Sequence, residues 1–354
     1  MSRHPITSKL LRWYAGHSRD LPWRHTRDPY FIWVSEIMLQ QTQVETVIPY
    51  YLRFLARFPS VKALAEARTD EVLKIWENLG YYSRARNLHA AAKEIAHRWQ
   101  GRLPQNRKDL LTLPGIGEYT ADAILSIAFS QPLAAIDGNV SRVISRLFAL
   151  RRPLGSAESR EQVRKRANHL LSQKHPGRFN QAIMDLGAAV CTPRTPACLS
   201  CPLKGLCSTE RLELQEKLPV SRKRPARSHK HMTAAVILDR KKRVLVLQRP
   251  ASGLLGGLWK FPGGEKGETE AAEEALHRTV REELGLHVRV VKTLASLSHA
   301  YTHFRVTFHV YRCTLVRGRV KSLEGLHWKW VSVEELRQLA LSKAEMKILA
   351  AFHS

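Results

Sequence analysis

Residues 113–139, L-P-G-I-G-E-Y-T-A-D-A-I-L-S-I-A-F-S-Q-P-L-A-A-I-D-G-N, constrain this chain more than any other stretch. Pro114 with Gly115 and Gly117 forces a tight turn after apolar Leu113, and residues 119–129 read as a second, largely apolar helix. The product is a helical hairpin with glycines at its tip, where backbone can approach a partner closely. The N–H groups that open the second helix have no partner within it and face outward at the positive end of its dipole, so a phosphate fits there. An ordinary packing corner would use the same turn. Asp137, set just past the second helix in an apolar A-A-I-D-G-N segment, favours the functional reading.

The chain on either side of the hairpin is expected to be helical from residue 1 to about 210. Apolar residues recur at three and four spacing over 6–14, 30–39, 47–58, 72–79, 88–99, 121–129, 140–150 and 179–190, with no alternating strand between them. The composition then changes. Residues 218–232 carry two prolines, five Lys or Arg and no acid, as expected of an extended basic linker, placed at 211–231. From 232 to 354 the period switches to β-rich runs at 234–238, 244–248, 288–294, 304–315 and 328–331, around one helix at 268–284. Ser332 and Glu335 have capping-box spacing for another helix. An all-α domain followed by a separate α+β domain is the expected fold, and 354 residues are enough for two cores.

Charge narrows the partners. The chain has 57 Lys plus Arg against 31 Asp plus Glu, a formal net charge of +26, which points to a polyanion. Nucleic acid fits better than a membrane, because no apolar run approaches spanning length and residues 1–10 lack a signal-peptide core. A soluble, cytoplasmic protein of bacterial type, acting on the nucleoid as a monomer, is expected.

Four of the five cysteines crowd the end of the helical part: Cys191, Cys198, Cys201 and Cys207, a C-x6-C-x2-C-x5-C run. For an intracellular chain a metal is the stronger reading than disulfides, and four thiolates suit zinc or an iron–sulfur cluster alike. Lys204 lies between two of the ligands and Arg194 between the first two, so the site would brace a basic loop. Cys313, in a strand pattern, reads as core.

The hairpin, an Asp twenty residues past its second glycine, and the 6-2-5 cysteine spacing together resemble the endonuclease III superfamily of DNA repair glycosylases. Within it the chain is similar to the MutY family of adenine DNA glycosylases over essentially its whole length. The segments that carry the likeness are L-P-W-R (21–24), W-V-S-E-I-M-L-Q-Q-T-Q-V (33–44), G-Y-Y-S-R-A-R-N-L (80–88), the hairpin, D-G-N (137–139) and F-N-Q-A-I-M-D-L-G (179–187). The resemblance implies a helix-hairpin-helix fold and a 4Fe-4S cluster on the four cysteines. It also implies duplex DNA with adenine opposite 8-oxoguanine or guanine as the substrate.

Base removal needs a proton on the leaving base and negative charge beside the sugar as it becomes cationic, work suited to two carboxyl groups. Glu36 lies among Ile32, Trp33, Val34, Ile37, Met38 and Leu39, in a helix apolar enough to be buried, and burial raises a carboxyl pKa toward that of a proton donor. Asp137 can cap the helix that begins near Gly138 and still serve the site. By the family's pattern, Glu36 protonates the adenine and then activates water, Asp137 stabilises the sugar cation, and Asn139 orients the water. Tyr119 stands where bifunctional relatives carry a Schiff-base lysine, which implies base removal without strand cleavage. The base must also be rotated out of the duplex. Gln41 and Tyr81 match the wedge residues that fill the gap, and Arg19, Leu21, Trp23, Arg24 and Gln181 match the adenine pocket.

The second domain resembles a Nudix box. Gly264, Glu270, Arg278, Val280, Glu282, Glu283, Gly285 and Leu286 fit it, but Thr279 replaces a glutamate that holds metal in active hydrolases. The likeness to MutY implies reading of 8-oxoguanine rather than nucleotide cleavage, with Tyr301, Thr302 and His303 at the recognition loop. The alternatives are a thymine-mismatch glycosylase, which would not need the second domain, a Nudix hydrolase tethered to DNA, and a DNA-binding scaffold without chemistry.

Overall fold

A computed structural model describes residues 4–220, 228–301, 304–321 and 326–353. Its contacts divide the chain into two compact units, one of Met1–Ala65 with Ala90–Arg224 and one of Glu66–His89 with Pro225–Ser354.

Twelve α-helices form among the described residues up to Arg211: α1 (Pro5–His17), α2 (Pro29–Leu39), α3 (Val44–Arg57), α4 (Val61–Glu66), α5 (Thr69–Ile75), α6 (Ser83–Trp99), α7 (Arg107–Leu110), α8 (Glu118–Ala128), α9 (Gly138–Leu147), α10 (Ala157–Leu170), α11 (Pro176–Asp185) and α12 (Ser208–Arg211). Local chemistry sets their starts. Asp28 accepts from the Tyr30 N–H ahead of Pro29 in α2, Asp137 accepts from Val140 at α9, and Ser156 accepts from Ser159 at α10. In α2 every residue from Tyr30 to Met38 except Phe31 is buried, so this helix is surrounded rather than amphipathic. One core of the first unit joins Ile6, Leu10 and Tyr14 of α1 to Val140, Val143 and Ile144 of α9, Val163 and Ala167 of α10, and Phe179 and Ile183 of α11. Helix α10 carries little apolar periodicity, because only Ser159, Val163, Ala167 and Leu170 are buried in it.

The hairpin is α7, a turn and α8. Gly115 has φ +78°, a left-handed conformation that a side chain would strain, while Leu113 and Ile116 anchor the turn in the core. Gly117 caps α8 without a side-chain acceptor, and both glycines are exposed.

The second unit carries a mixed sheet of β1 (Ser228–Leu238), β2 (Val244–Gln248), β3 (Trp259–Lys260), β4 (His287–Ala300), β5 (Phe304–Arg317) and β6 (Trp328–Val331), in the order β3-β2-β1-β5-β4 with β6 on β2. β1 and β5 run parallel, and the remaining pairs are antiparallel. Alternate residues of β1 face opposite layers: Ala235 and Ile237 meet Leu276, Val280 and Leu284 of α13 (Ala272–Leu284), while Ala234 and Val236 share a core with Leu336 of α14 (Val333–Gln338) and Ile348 of α15 (Lys343–His353). Burial on both faces explains the unbroken apolar run 234–238. Ser332 and Glu335 form the expected capping box, and Cys313 is buried in the α13 layer. β3 has no signal of its own, since two residues are too few for a period.

The grouping of Glu66–His89 with the second unit departs from the division at residue 210. Its ties are polar and irregular: Lys74 donates to the Arg337 and Leu339 carbonyls, Leu341 N–H donates to Glu77, Gln248 donates to Asp70, and Arg86 donates to the Gly256 carbonyl. Such contacts leave no trace in hydrophobic periodicity.

Candidate active site

One cleft of about 890 Å3 in the first unit gathers ten of the residues singled out in the sequence: Arg19, Leu21, Trp23, Arg24, Glu36, Gln41, Tyr119, Asp137, Asn139 and Gln181. They come from α1's end, the 3-10 turn Pro22–Arg24, α2, α8, α9 and α11.

Glu36 sits at the floor, 6% exposed. Tyr119 Oη donates to Glu36 Oε2 at 2.6 Å. Burial drives the Glu36 carboxyl up, the Tyr119 hydrogen bond opposes it, and the nearby Asp137 charge adds to the rise, leaving a pKa of about 7. Burial and the Glu36 charge hold the Tyr119 hydroxyl well above its ordinary value, so it stays a neutral donor. Burial also raises Asp137, against the N–H groups of Val140 and Asn139 that favour its ionised form. The cap is literal: Val140 N donates to Asp137 Oδ1 at 2.7 Å.

Behind Asp137 runs a chain of bonds that the sequence did not reveal. Arg142 donates through Nη2 to Asn139 Oδ1 at 2.8 Å and to the Gly187 carbonyl at 2.7 Å, and through Nε to the Cys191 carbonyl at 2.9 Å. Gly187 is required by this approach, because a Cβ there would stand 2.9 Å from Asn139 Cβ. Asp185 is a second organiser. It is 1% exposed, accepts a fork from Arg24 at 2.6 and 2.8 Å, and accepts from Arg19 Nε at 2.8 Å. Burial raises its carboxyl, but the Arg24 and Arg19 bonds outweigh that and leave it below its usual range. Tyr14 Oη donates to Gln181 Oε1 at 2.8 Å and sets that amide. Asp185 was within reach of sequence reasoning, as the lone acid of F-N-Q-A-I-M-D-L-G; Arg142 had no such signal.

Apart from Gln41, the candidates that follow lie outside this cleft. Gly115 and Gly117 form the hairpin tip. Gln41, at the cleft's edge, and Tyr81, in the second unit, share one peculiarity: both have left-handed backbone, φ 57° and 47°, which is strained for a side-chain-bearing residue. Tyr301 closes the β4–β5 tip, its N–H bonded to Phe304 O and its ring against His299 and Phe304. Thr302 and His303 lie outside the described residues.

Cys191, Cys198, Cys201 and Cys207 line one small cavity together with Arg146, Lys204 and Thr209. All four thiols are free. Burial lifts Cys198 and Cys207 and takes Cys201 to about 11, and the neighbouring sulfurs add to each rise. Four thiolates are therefore stable there only with positive charge among them. The surroundings fit a thiolate-held metal group: Leu203 N–H faces Cys201, Thr209 and Glu210 N–H face Cys207, Arg146 Nη1 lies 3.5 Å from Cys191 Sγ, and Thr209 Oγ1 is buried without a partner among the described residues. Among the described residues no three or more His, Cys, Asp or Glu side chains are drawn together as a single ion would require.

In the second unit, Arg278 forks onto Glu270 and also holds Glu282. Thr279 is buried, its hydroxyl donating to the Ala275 carbonyl at 2.8 Å. Lys260 Nζ pairs with Glu283 and donates to Gly263 O at 2.9 Å, while Gly263 N donates to the other Glu283 oxygen at 3.0 Å.

Residues 34–173 match the HhH-GPD superfamily base excision DNA repair protein family, and residues 233–351 match the NUDIX domain. A thermostable thymine-DNA glycosylase has a similar structure, with TM-score 0.53 and 32% identity, over 58% of this chain and 95% of that one. Endonuclease III in a non-covalent complex with DNA gives TM-score 0.51 at 22% identity over 59% of this chain and 95% of that one, which shows the shared fold. Fold and site thus define a helix-hairpin-helix DNA N-glycosylase of base excision repair, a hydrolase, joined to a Nudix-like domain. Over its whole length the chain resembles the adenine DNA glycosylase of Homo sapiens, 33% identical across 404 residues that span 97% of this chain and 73% of that protein. The chain belongs to the adenine DNA glycosylase family. That family generally contains an iron–sulfur group, and its substrate is DNA.

Proposed function

We propose that this chain, as a monomer, hydrolyses the N-glycosidic bond of adenine paired with 8-oxoguanine or guanine, and leaves the strand intact. The observation that carries this reading is the buried Glu36 held by Tyr119 and facing Asp137 across one cleft. A carboxyl with a pKa of about 7 is available both as acid and as base near neutrality. Protonated Glu36 gives its proton to a ring nitrogen of the extruded adenine, and the C1′–N bond breaks with its electron pair leaving on the base. The ionised Asp137 stabilises the sugar cation. Glu36, now a carboxylate, takes a proton from water as the water oxygen bonds to C1′, which restores the acid. Asn139, fixed by Arg142, orients that water. Arg19, Leu21, Trp23, Arg24 and Gln181 line the base pocket, with Gln41 and Tyr81 filling the vacated duplex. A hydroxyl at 119 cannot form an imine, which supports base release without strand cleavage.

Cys191, Cys198, Cys201 and Cys207 would hold a 4Fe-4S cluster, a group of the kind the family generally contains, because the four line one cavity. When bound, such a cluster supplies fixed positive charge that ties residues 191–207 together. Lys204 and Arg194 are then presented to the DNA backbone.

The second domain is assigned to reading the base opposite adenine, through Tyr301, Thr302 and His303. Its Nudix box supports binding without hydrolysis: Thr279 is turned into its helix, Glu283 is neutralised by Lys260, and Glu270 and Glu282 are claimed by Arg278. The test is incubation with a duplex holding adenine opposite 8-oxoguanine. Alkali should reveal a break at the adenine site that is absent before alkali. An intact strand after alkali would overturn the reading.

A further inference from the structure

Three histidines outside the glycosylase site share one face of the second unit's sheet. β1 and β5 pair in parallel, with His231 opposite Thr307 and Thr233 opposite His309, so period-two alternation sets His229, His231 and His309 on the face that α13 covers further along. Their rings form a column, with centroids 4.8 Å apart for His229–His231 and 5.6 Å for His231–His309. His229 and His231 are exposed and His309 is half-buried.

The decisive distance is between nitrogens. His231 Nδ1 and His309 Nε2 are hydrogen-bonded at 3.3 Å, one ring donating its N–H to the other, and a metal ion would take the place of that proton. Two imidazole nitrogens that share a tetrahedral zinc ion at ~2.05 Å stand about 3.3–3.4 Å from each other. We propose that His231 and His309 form a binding site for a borderline divalent transition-metal ion such as zinc, with His229 swinging in as a third ligand and water completing the sphere. His229 now rests on Thr307 Oγ1 at 2.9 Å, an exposed bond that a rotamer change replaces at little cost. Among the described residues no three such ligands are already drawn together, so the site is completed only by that rotation. Lys266 lies close enough to His309 for its charge to be felt there. Lys266 opposes the cation, so affinity is expected to be moderate. Its consequence is local: the ion would clasp the start of β1 to β5 close behind Tyr301.

The test uses the full chain as purified, titrated with zinc chloride by calorimetry. The difference between wild type and the His231→Asn, His309→Asn double variant isolates this site from the cysteines. Wild type should take up about one equivalent more than the double variant, and His229→Asn should weaken that uptake by about tenfold. Added copper(II) in place of zinc should show nitrogen couplings from at least two imidazoles in its electron paramagnetic resonance spectrum. Equal zinc uptake by wild type and double variant, or copper in the wild type with oxygen ligands alone, would overturn the proposal.

Discussion

Tyr119→Phe isolates the bond that tunes the acid. In the folded chain the Tyr119 hydroxyl donates to Glu36 at 2.6 Å and favours the carboxylate, while burial favours the protonated form and prevails, giving a pKa of about 7. A hydrogen bond to a charged group is worth ~1.5–3 kcal/mol, and one pKa unit corresponds to ~1.4 kcal/mol, so its loss should raise Glu36 by about 1–2 units. In the proposed reaction, base departure requires protonated Glu36. The descending limb of single-turnover base release should therefore move from near pH 7 to roughly pH 8–9, with little change in rate on the acid side of the limb. The assay is alkali-revealed cleavage of a duplex with adenine opposite 8-oxoguanine, followed between about pH 5 and about pH 9. A limb that stays in place or moves down would refute the account, because Tyr119 would then not be stabilising the ionised form. Loss of activity at every pH would refute it too, since the tyrosine itself would then be the acid.

Glu36→Gln should abolish base release yet stabilise the fold in alkali. The folded carboxyl binds its proton more tightly than the ordinary value of 4.5, so its share of stability is complete below that value and lost as pH rises toward about 7. The difference of about 2.5 units corresponds to ~3 kcal/mol near pH 8, and equal melting temperatures of variant and wild type there would contradict it. Asp185→Ala leaves the mostly buried Arg24 without its fork, and a loss of about 3 kcal/mol is expected with the half-exposed Arg19 adding little. A thermal melt within a degree or so of wild type would count against that role. Tyr119→Lys places an amine beside the reacting sugar and should gain some strand cleavage; borohydride failing to trap the variant on DNA would show that the side chain does not reach C1′.

Much of the glycosylase site can be read from the sequence because its parts are written locally. The hairpin glycines, the Asp137 cap, the cysteine run and an acid stranded in the apolar helix around Glu36 each follow from turn geometry, capping or burial within a few residues. The same holds for the switch from helical to alternating periods and for the capping box at Ser332. What needed the tertiary structure has long-range causes. No local rule brings Arg19, Glu36, Tyr119, Asp137 and Gln181 to one cleft, nor seats Asp185 beneath two arginines, since those contacts join residues up to 167 positions apart. The polar ties of Glu66–His89 to the second unit, and Lys260 beside Glu283, are likewise invisible to periodicity. The charge state of Glu36 belongs to this second class: the residue is legible in the chain, but its pKa of about 7 is set by what the fold removes, water, and by what it supplies, the Tyr119 hydroxyl and the Asp137 charge.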